Sequence, residues 1–125
     1  MGLDGLVTAV LYKLIIHIMT LRTLWRYLRA QGTDTIPIIK RIEDIVIKTL
    51  ISAEECITAS SFNMPSRYNG YELFGFDIIL DENFKPWLLE VNISPSLHSS
   101  SPLDLAVKGH LVKEVFNIAG YHLPP

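Results

Sequence analysis

Phe74-Gly75-Phe76-Asp77-Ile78-Ile79-Leu80-Asp81-Glu82-Asn83-Phe84-Lys85-Pro86-Trp87-Leu88-Leu89-Glu90-Val91-Asn92 is the stretch on which the fold turns. Two apolar runs of period two flank the turn-like residues Glu82 to Lys85. Such a pattern predicts an antiparallel β-hairpin. With Asp81 set opposite Pro86 across a four-residue loop, Leu80 faces Trp87, Ile78 faces Leu89 and Phe76 faces Val91. That face is wholly apolar and is the expected core face. On the other face Asp77 lies opposite Glu90 and Gly75 opposite Asn92, among Ile79 and Leu88.

Directly opposed side chains have Cβ atoms roughly 4.5–5.5 Å apart. Two carboxylates at that spacing repel, and apolar neighbours add a desolvation cost. A hard divalent cation relieves both, and two carboxylates with an amide suit Mg²⁺. Glu90 and Asn92 are two apart and project to one side of their strand. Gly75 is expected to leave room beside Asn92 for a phosphate. A solvated sheet face is the competing reading, and a register shift of one residue would put the carboxylates on opposite faces.

Outward from the hairpin, the chain divides into helices and connections. Leu3 to Ala30 has helical periodicity, with Leu14, Ile18, Leu21, Leu24, Trp25 and Leu28 on one side and Arg22, Arg26 and Arg29 on the other. Gly32 is placed as its C′ residue. Thr33-Asp34-Thr35 is an N-cap cluster for a second amphipathic helix reaching about Cys56, with Pro37 in its first turn. Its many isoleucines are weak helix formers, so packing must hold it. Thr58 to Gly70 is rich in Ser, Asn, Pro and Gly and is expected to be irregular. After the loop Ile93 to Ser101, a last helix starts with Ser101 as N-cap, Pro102 at N1 and Asp104 three after the cap, and Gly120 stops it.

Composition narrows the classes. The 125 residues are 49% hydrophobic and 19% charged, which excludes a disordered chain. A net charge of −2 and a pI of about 6.0 lack the basic excess of a nucleic-acid partner. Cys56 is the single cysteine, so no internal disulfide forms, as suits a reducing compartment such as the cytosol. Leu6 to Met19 is apolar but carries Lys13 and falls short of the roughly 18 uninterrupted residues of a membrane span. It also lacks a basic start. The expectation is a buried or partner-covered helix rather than a membrane anchor.

Phe74-Gly75-Phe76-Asp77, Lys85-Pro86-Trp87-Leu88-Leu89-Glu90-Val91-Asn92 and Ser94-Pro95-Ser96-Leu97 resemble the tubulin tyrosine ligase-like family, in particular its polyglutamylase branch. Lys48-Thr49-Leu50-Ile51 and Ser101-Pro102-Leu103-Asp104 are similar too. The resemblance covers roughly residues 19–125 and leaves out the apolar segment 1–18.

The resemblance implies an α+β fold, the C-terminal part of an ATP-grasp domain, with an antiparallel hairpin packed by amphipathic helices. It implies ATP and Mg²⁺ as cofactors, with Asp77, Glu90 and Asn92 as ligands of the metal and nucleotide. It also implies a ligase that activates a carboxylate as an acyl phosphate and joins free glutamate to glutamate side chains in tubulin C-terminal tails, on microtubules. The implied location is the cytoplasmic cytoskeleton, with cilium or basal body as the finer placement.

Less specific candidates are Lys48 toward the nucleotide or substrate, Lys108 toward an acidic substrate and His98 in the acceptor site; a solvated helix lysine is the favoured reading of Lys48 and Lys108, and a surface histidine explains His98 equally. Ser94-Pro95-Ser96 is expected to shape a loop over the phosphates, and Phe84 and Trp87 to pack. ATP-grasp enzymes hold the nucleotide between two lobes, yet no Gly-rich phosphate loop or upstream sheet is written here. The expectation is therefore an incomplete catalytic domain, either a truncated product or an incomplete gene model, with its first segment read from non-coding sequence. Unpaired strand edges and exposed apolar surface should follow. The alternatives are a non-catalytic fragment that binds tubulin or another partner, and an ATP-grasp ligase with a small-molecule acceptor.

Overall fold

A computed structural model describes residues 20–61 and 71–120. The apolar segment up to Met19, most of the irregular stretch before Tyr71 and the last five residues lie outside the described residues. In order come α1 (Leu21–Ala30), α2 (Ile36–Ser61), β1 (Gly75–Leu80), β2 (Pro86–Asn92) and α3 (Pro102–Ala119). This is the expected α+β arrangement of helices with one antiparallel hairpin.

The helix ends follow local chemistry. Thr20 is extended (φ −69°, ψ 155°), and its hydroxyl accepts the Thr23 N–H at 3.2 Å. It is thus the N-cap of α1, which corrects the expected unbroken helix from Leu3 to Ala30. Apolar periodicity running through Thr20 conceals that cap. At the other end the Gly32 N–H donates to the Arg29 carbonyl and the Thr33 N–H to that of Leu28, both at 3.0 Å. With Gly32 at φ +83° this is a Schellman motif, and Gly32 is the C′ residue as expected.

For α2, the Asp34 carboxylate accepts the Ile36 N–H at 3.0 Å, while the Thr35 carbonyl accepts the first helical bond from Ile39. The Thr35 hydroxyl is buried and has no hydrogen-bond partner among the described residues, so Asp34 supplies the side-chain cap. α2 continues to Ser61, past its expected end near Cys56, so Thr58 to Ser61 are helical and not irregular. In α3 the Ser101 hydroxyl accepts the Asp104 N–H at 3.1 Å, Pro102 is at N1, and Gly120 closes the helix at φ +69°.

The hairpin pairs as expected at one end only. Gly75 pairs with Asn92, Phe76 with Val91 and Asp77 with Glu90. Toward the turn the pairs are Ile78 with Leu88, Ile79 with Trp87 and Leu80 with Pro86. The expected pairing of Leu80 with Trp87 and Ile78 with Leu89 is therefore corrected. Two features cause this. The turn holds three residues, because the Asp81 N–H donates to the Lys85 carbonyl at 3.0 Å and the Phe84 N–H to that of Asp81 at 2.9 Å. Phe84 takes the left-handed conformation (φ +57°) that such a turn requires at its last position. A bulge then adds Leu89 to β2 and restores the expected register from Asp77 outward.

The fully buried core is small: Leu24, Leu28, Ile38 and Leu80, with Trp25, Ile42 and Phe84 against it. It joins the α1–α2 elbow to the turn end of the hairpin. Beyond it, a cavity of about 410 Å³ opens between Leu21, Trp25, Val46, Phe76, Ile78 and Leu89. Large apolar residues are exposed elsewhere, among them Ile51, Leu105, Phe116 and Ile118. In the two-stranded sheet each strand has one unpaired edge among the described residues, as expected. No helix among the described residues is long and apolar enough to cross a membrane.

Candidate metal–nucleotide site

Asp77 and Glu90 occupy opposed positions at the open end of the hairpin, one on each strand. Asp77 is half-buried; Glu90 and Asn92 are exposed. The Asn92 side-chain amide donates to Glu90 Oε1 at 3.4 Å, so these two groups converge on one side of β2. Among the described residues the ion pairs are Lys48–Asp44 and His110–Glu114, and neither involves Asp77 or Glu90. Two facing carboxylates without a neutralising side chain suit a cation. The donor set is two carboxylates and an amide, all hard oxygen ligands without thiolate or imidazole, and it fits Mg²⁺ better than a zinc-type ion. Among the described residues no three His, Cys, Asp or Glu side chains cluster, so such an ion would draw further ligands from water and phosphate.

Gly75 differs from expectation. A Cβ built there would lie 3.2 Å from Pro95 Cβ and 3.6 Å from Asn92 Cβ. The space above Gly75 is filled by Pro95, and the expected gap for a phosphate is corrected accordingly. The chain turns back after Asn92 and lays its proline over the glycine.

The environment of the pair also changes. Ile79 shares the face of Asp77, but Leu88 now opposes Ile78 on the other side, and Trp87 opposes Ile79. Trp87, expected to pack in the core, is exposed. Its indole N–H donates to Asp81 Oδ2 at 3.0 Å, and Lys85 Nζ lies 3.9 Å from its ring centroid. Asp81 Oδ1 also accepts the N–H groups of Asn83 (2.9 Å) and Lys85 (3.0 Å). The Trp87 bond first, and then these backbone bonds, hold the Asp81 carboxyl below its ordinary value.

The less specific candidates sit as follows. Lys48 donates to Asp44 Oδ2 at 2.6 Å, one turn away on the exposed face of α2. Lys108 and His98 are brought together, the Lys108 ammonium donating to the His98 carbonyl. The His98 N–H donates to the Ser96 hydroxyl at 3.3 Å, and its ring is exposed. Neither residue hydrogen-bonds Asp77, Glu90 or Asn92 among the described residues. At the start of α3, Asp104 Oδ2 accepts the Ser100 hydroxyl at 2.9 Å and the Ser100 N–H at 3.3 Å. These bonds, led by the hydroxyl, hold Asp104 below its ordinary value. The sequence reading missed the seat of Pro95 on Gly75; its only signal was Ser94-Pro95 just after the strand, taken as loop chemistry alone.

Comparison with known proteins adds the family. The profile of the tubulin-tyrosine ligase family matches residues 15–125. The human tubulin monoglutamylase TTLL4 is 53% identical over 110 residues, 86% of this chain and 9% of that protein. The Caenorhabditis elegans tubulin polyglutamylase ttll-4 is 51% identical over 107 residues, 85% of this chain and 18% of that protein. The human tubulin polyglutamylase TTLL5 is 46% identical over 97 residues, 77% of this chain and 8% of that protein. The chain spans between 8% and 18% of the length of these three relatives.

Proposed function

Because the chain belongs to the tubulin-tyrosine ligase family, we propose that it carries the Mg²⁺- and ATP-holding part of a ligase that joins glutamate to tubulin. The observation that carries this reading is the opposition of Asp77 and Glu90 across the hairpin, with the Asn92 amide beside Glu90 and, among the described residues, no ion pair to either carboxylate. In this reading residues 19–125, together with the four residues before them at which the family profile begins, are the C-terminal part of an ATP-grasp domain, and the apolar residues ahead of these are a separate segment. The names of the relatives include a monoglutamylase as well as polyglutamylases, and glutamate addition to tubulin is what they share. The acceptors are C-terminal tails on microtubules, which puts the protein at the cytoplasmic cytoskeleton, including cilium or basal body.

The chemistry asks for charge control more than for a nucleophile. A tail carboxylate takes the terminal phosphoryl group of ATP, and the amine of free glutamate displaces phosphate from it; the substrates thus supply both reacting groups. A bound divalent ion would neutralise phosphate oxygens during that transfer. Asp77 from one strand, and Glu90 and Asn92 from the other, would hold it. The paired strands fix the spacing of these side chains before any ligand arrives, and such preorganisation is what positioning catalysis requires. Lys48 toward the nucleotide, and His98 and Lys108 toward the acidic substrate, remain secondary members of this proposal.

A second reading is a non-catalytic fragment that docks on tubulin or another partner. The exposed apolar residues of α2 and α3 favour it. Calorimetric titration of the folded chain with Mg-ATP separates the two. Saturable binding in the native sequence, weakened at least about tenfold by Asp77→Asn with Glu90→Gln, is expected. Equal binding in both overturns the assignment of the pair, and no binding by either supports the fragment.

A further inference from the structure

We infer that Gly75 and Pro95 form a seat that positions Asn92 and, through it, the carboxylate pair; this rests on the metal–nucleotide reading above. Three observations carry it. First, Pro95 touches the sheet where Asn92 is held: a Cβ at Gly75 would meet Pro95 Cβ at 3.2 Å, Asn92 Cβ at 3.6 Å and Pro95 Cγ at 3.8 Å. Gly75 and Asn92 are also the last cross-strand pair, so no further rung of the ladder secures Asn92 beyond this point. Second, Pro95 is the one residue of 93–97 that turns inward. Ile93, Ser94, Ser96 and Leu97 are exposed and Pro95 is half-buried. The loop thus makes its contact with one rigid ring.

Third, the loop is tied on its far side. Lys108 donates to the His98 carbonyl, and Asp104 accepts both the hydroxyl and the N–H of Ser100. The loop that carries Pro95 is therefore anchored to α3 through His98 and Ser100, while the proline itself faces the strand end. Glycine at position 75 permits this close approach: an added methyl group would lie 3.2 Å from Pro95 Cβ, so that Pro95 must give by a few tenths of an ångström beside Asn92, whose Cβ at 3.6 Å is in ordinary contact. The Asn92 amide is hydrogen-bonded to Glu90 Oε1, so its displacement moves the pair's shared side. Gly75 and Pro95 are positioning residues and touch no ligand themselves. Losing such support typically costs about tenfold in metal affinity.

The test is calorimetric titration of the full chain with Mg-ATP, with thermal unfolding measured beside it. Gly75→Ala should weaken binding about tenfold while the chain stays folded. Pro95→Gly, which removes the ring and adds no atom, should also weaken binding. The double variant Gly75→Ala with Pro95→Gly should bind no worse than Pro95→Gly alone, because the ring that the methyl strikes is gone. Such non-additivity marks contact between the two sites. Unchanged binding in Gly75→Ala, or additive losses in the double variant, overturns the seat and leaves the metal reading intact. If Gly75→Ala fails to fold, unchanged binding in Pro95→Gly overturns it instead. Absence of Mg-ATP binding by the native sequence overturns the metal reading and the seat together.

Discussion

The two ends of the hairpin are held by different means. At the turn end Leu80 is 2% exposed and packs with Leu24, Leu28 and Ile38, and Phe84 closes over them. At the open end Glu90 and Asn92 are exposed, and order there comes from the strand ladder, the Pro95 seat and the hydrogen bonds of the following loop. Past that end, α3 presents Leu105, Phe116 and Ile118 to solvent, the last 83% exposed. One end supplies stability and the other supplies a charged, accessible constellation. Substitutions at the two ends should therefore separate folding from binding.

The largest expected effect is in the core. Leu28→Ala removes a side chain that is 1% exposed and should cost about 2–5 kcal/mol in urea unfolding followed by circular dichroism. Ile118→Ala, on the open helix, should stay within about 0.5 kcal/mol. If Ile118→Ala costs as much as Leu28→Ala, that helix face is covered in solution and the contrast between the ends disappears.

The turn gives a finer test. Phe84 combines a left-handed backbone with a ring packed on the core, two features that favour different residues. Phe84→Ala loses the ring and keeps the backbone penalty, whereas Phe84→Gly loses the ring and relieves it. The glycine variant should therefore be the more stable of the two by about 1 kcal/mol, the reverse of the usual order outside such turns. Equal stabilities in chemical denaturation would mean that the three-residue turn does not persist in solution.

The same residue marks where the sequence was legible and where it was not. Gly32 as C′ residue and the Ser101, Pro102 and Asp104 helix start were readable because capping is local chemistry written in adjacent residues. The opposition of Asp77 and Glu90 was readable too, although two departures cancelled along the way. Phe84 stands where such a turn usually has glycine, so the three-residue turn carried no signature. The bulge at Leu89 lies within Trp87-Leu88-Leu89, where apolar side chains suit either face, so period two could not reveal it. Trp87 was consequently placed inside, and it lies outside on Asp81. Thr20 was hidden in an apolar run, and the last turn of α2 in a composition typical of loops. Pro95 on Gly75 is a tertiary contact that no local pattern encodes.

The smallest effect concerns pH, and it compares the turn with the start of α3. Asp81 is held below its ordinary carboxyl value, chiefly by the Trp87 indole N–H, and Asp104 chiefly by the Ser100 hydroxyl. A carboxyl lowered in the fold contributes stability that is complete above its unfolded value, about 3.9, and is lost as pH falls through the lower folded value. Both caps should accordingly loosen only in the acid range and stay intact from neutrality down to about pH 5. The indole N–H resonance of Trp87 should shift as Asp81 protonates. In Asp81→Asn that acid-dependent shift should vanish while the change at Ser100 persists, because the two carboxylates share no partner. If the Trp87 resonance still titrates in Asp81→Asn, a different group governs the turn. A loss of the Ser100 change in the same variant would mean that the two ends of the hairpin communicate, contrary to the separation drawn from their packing.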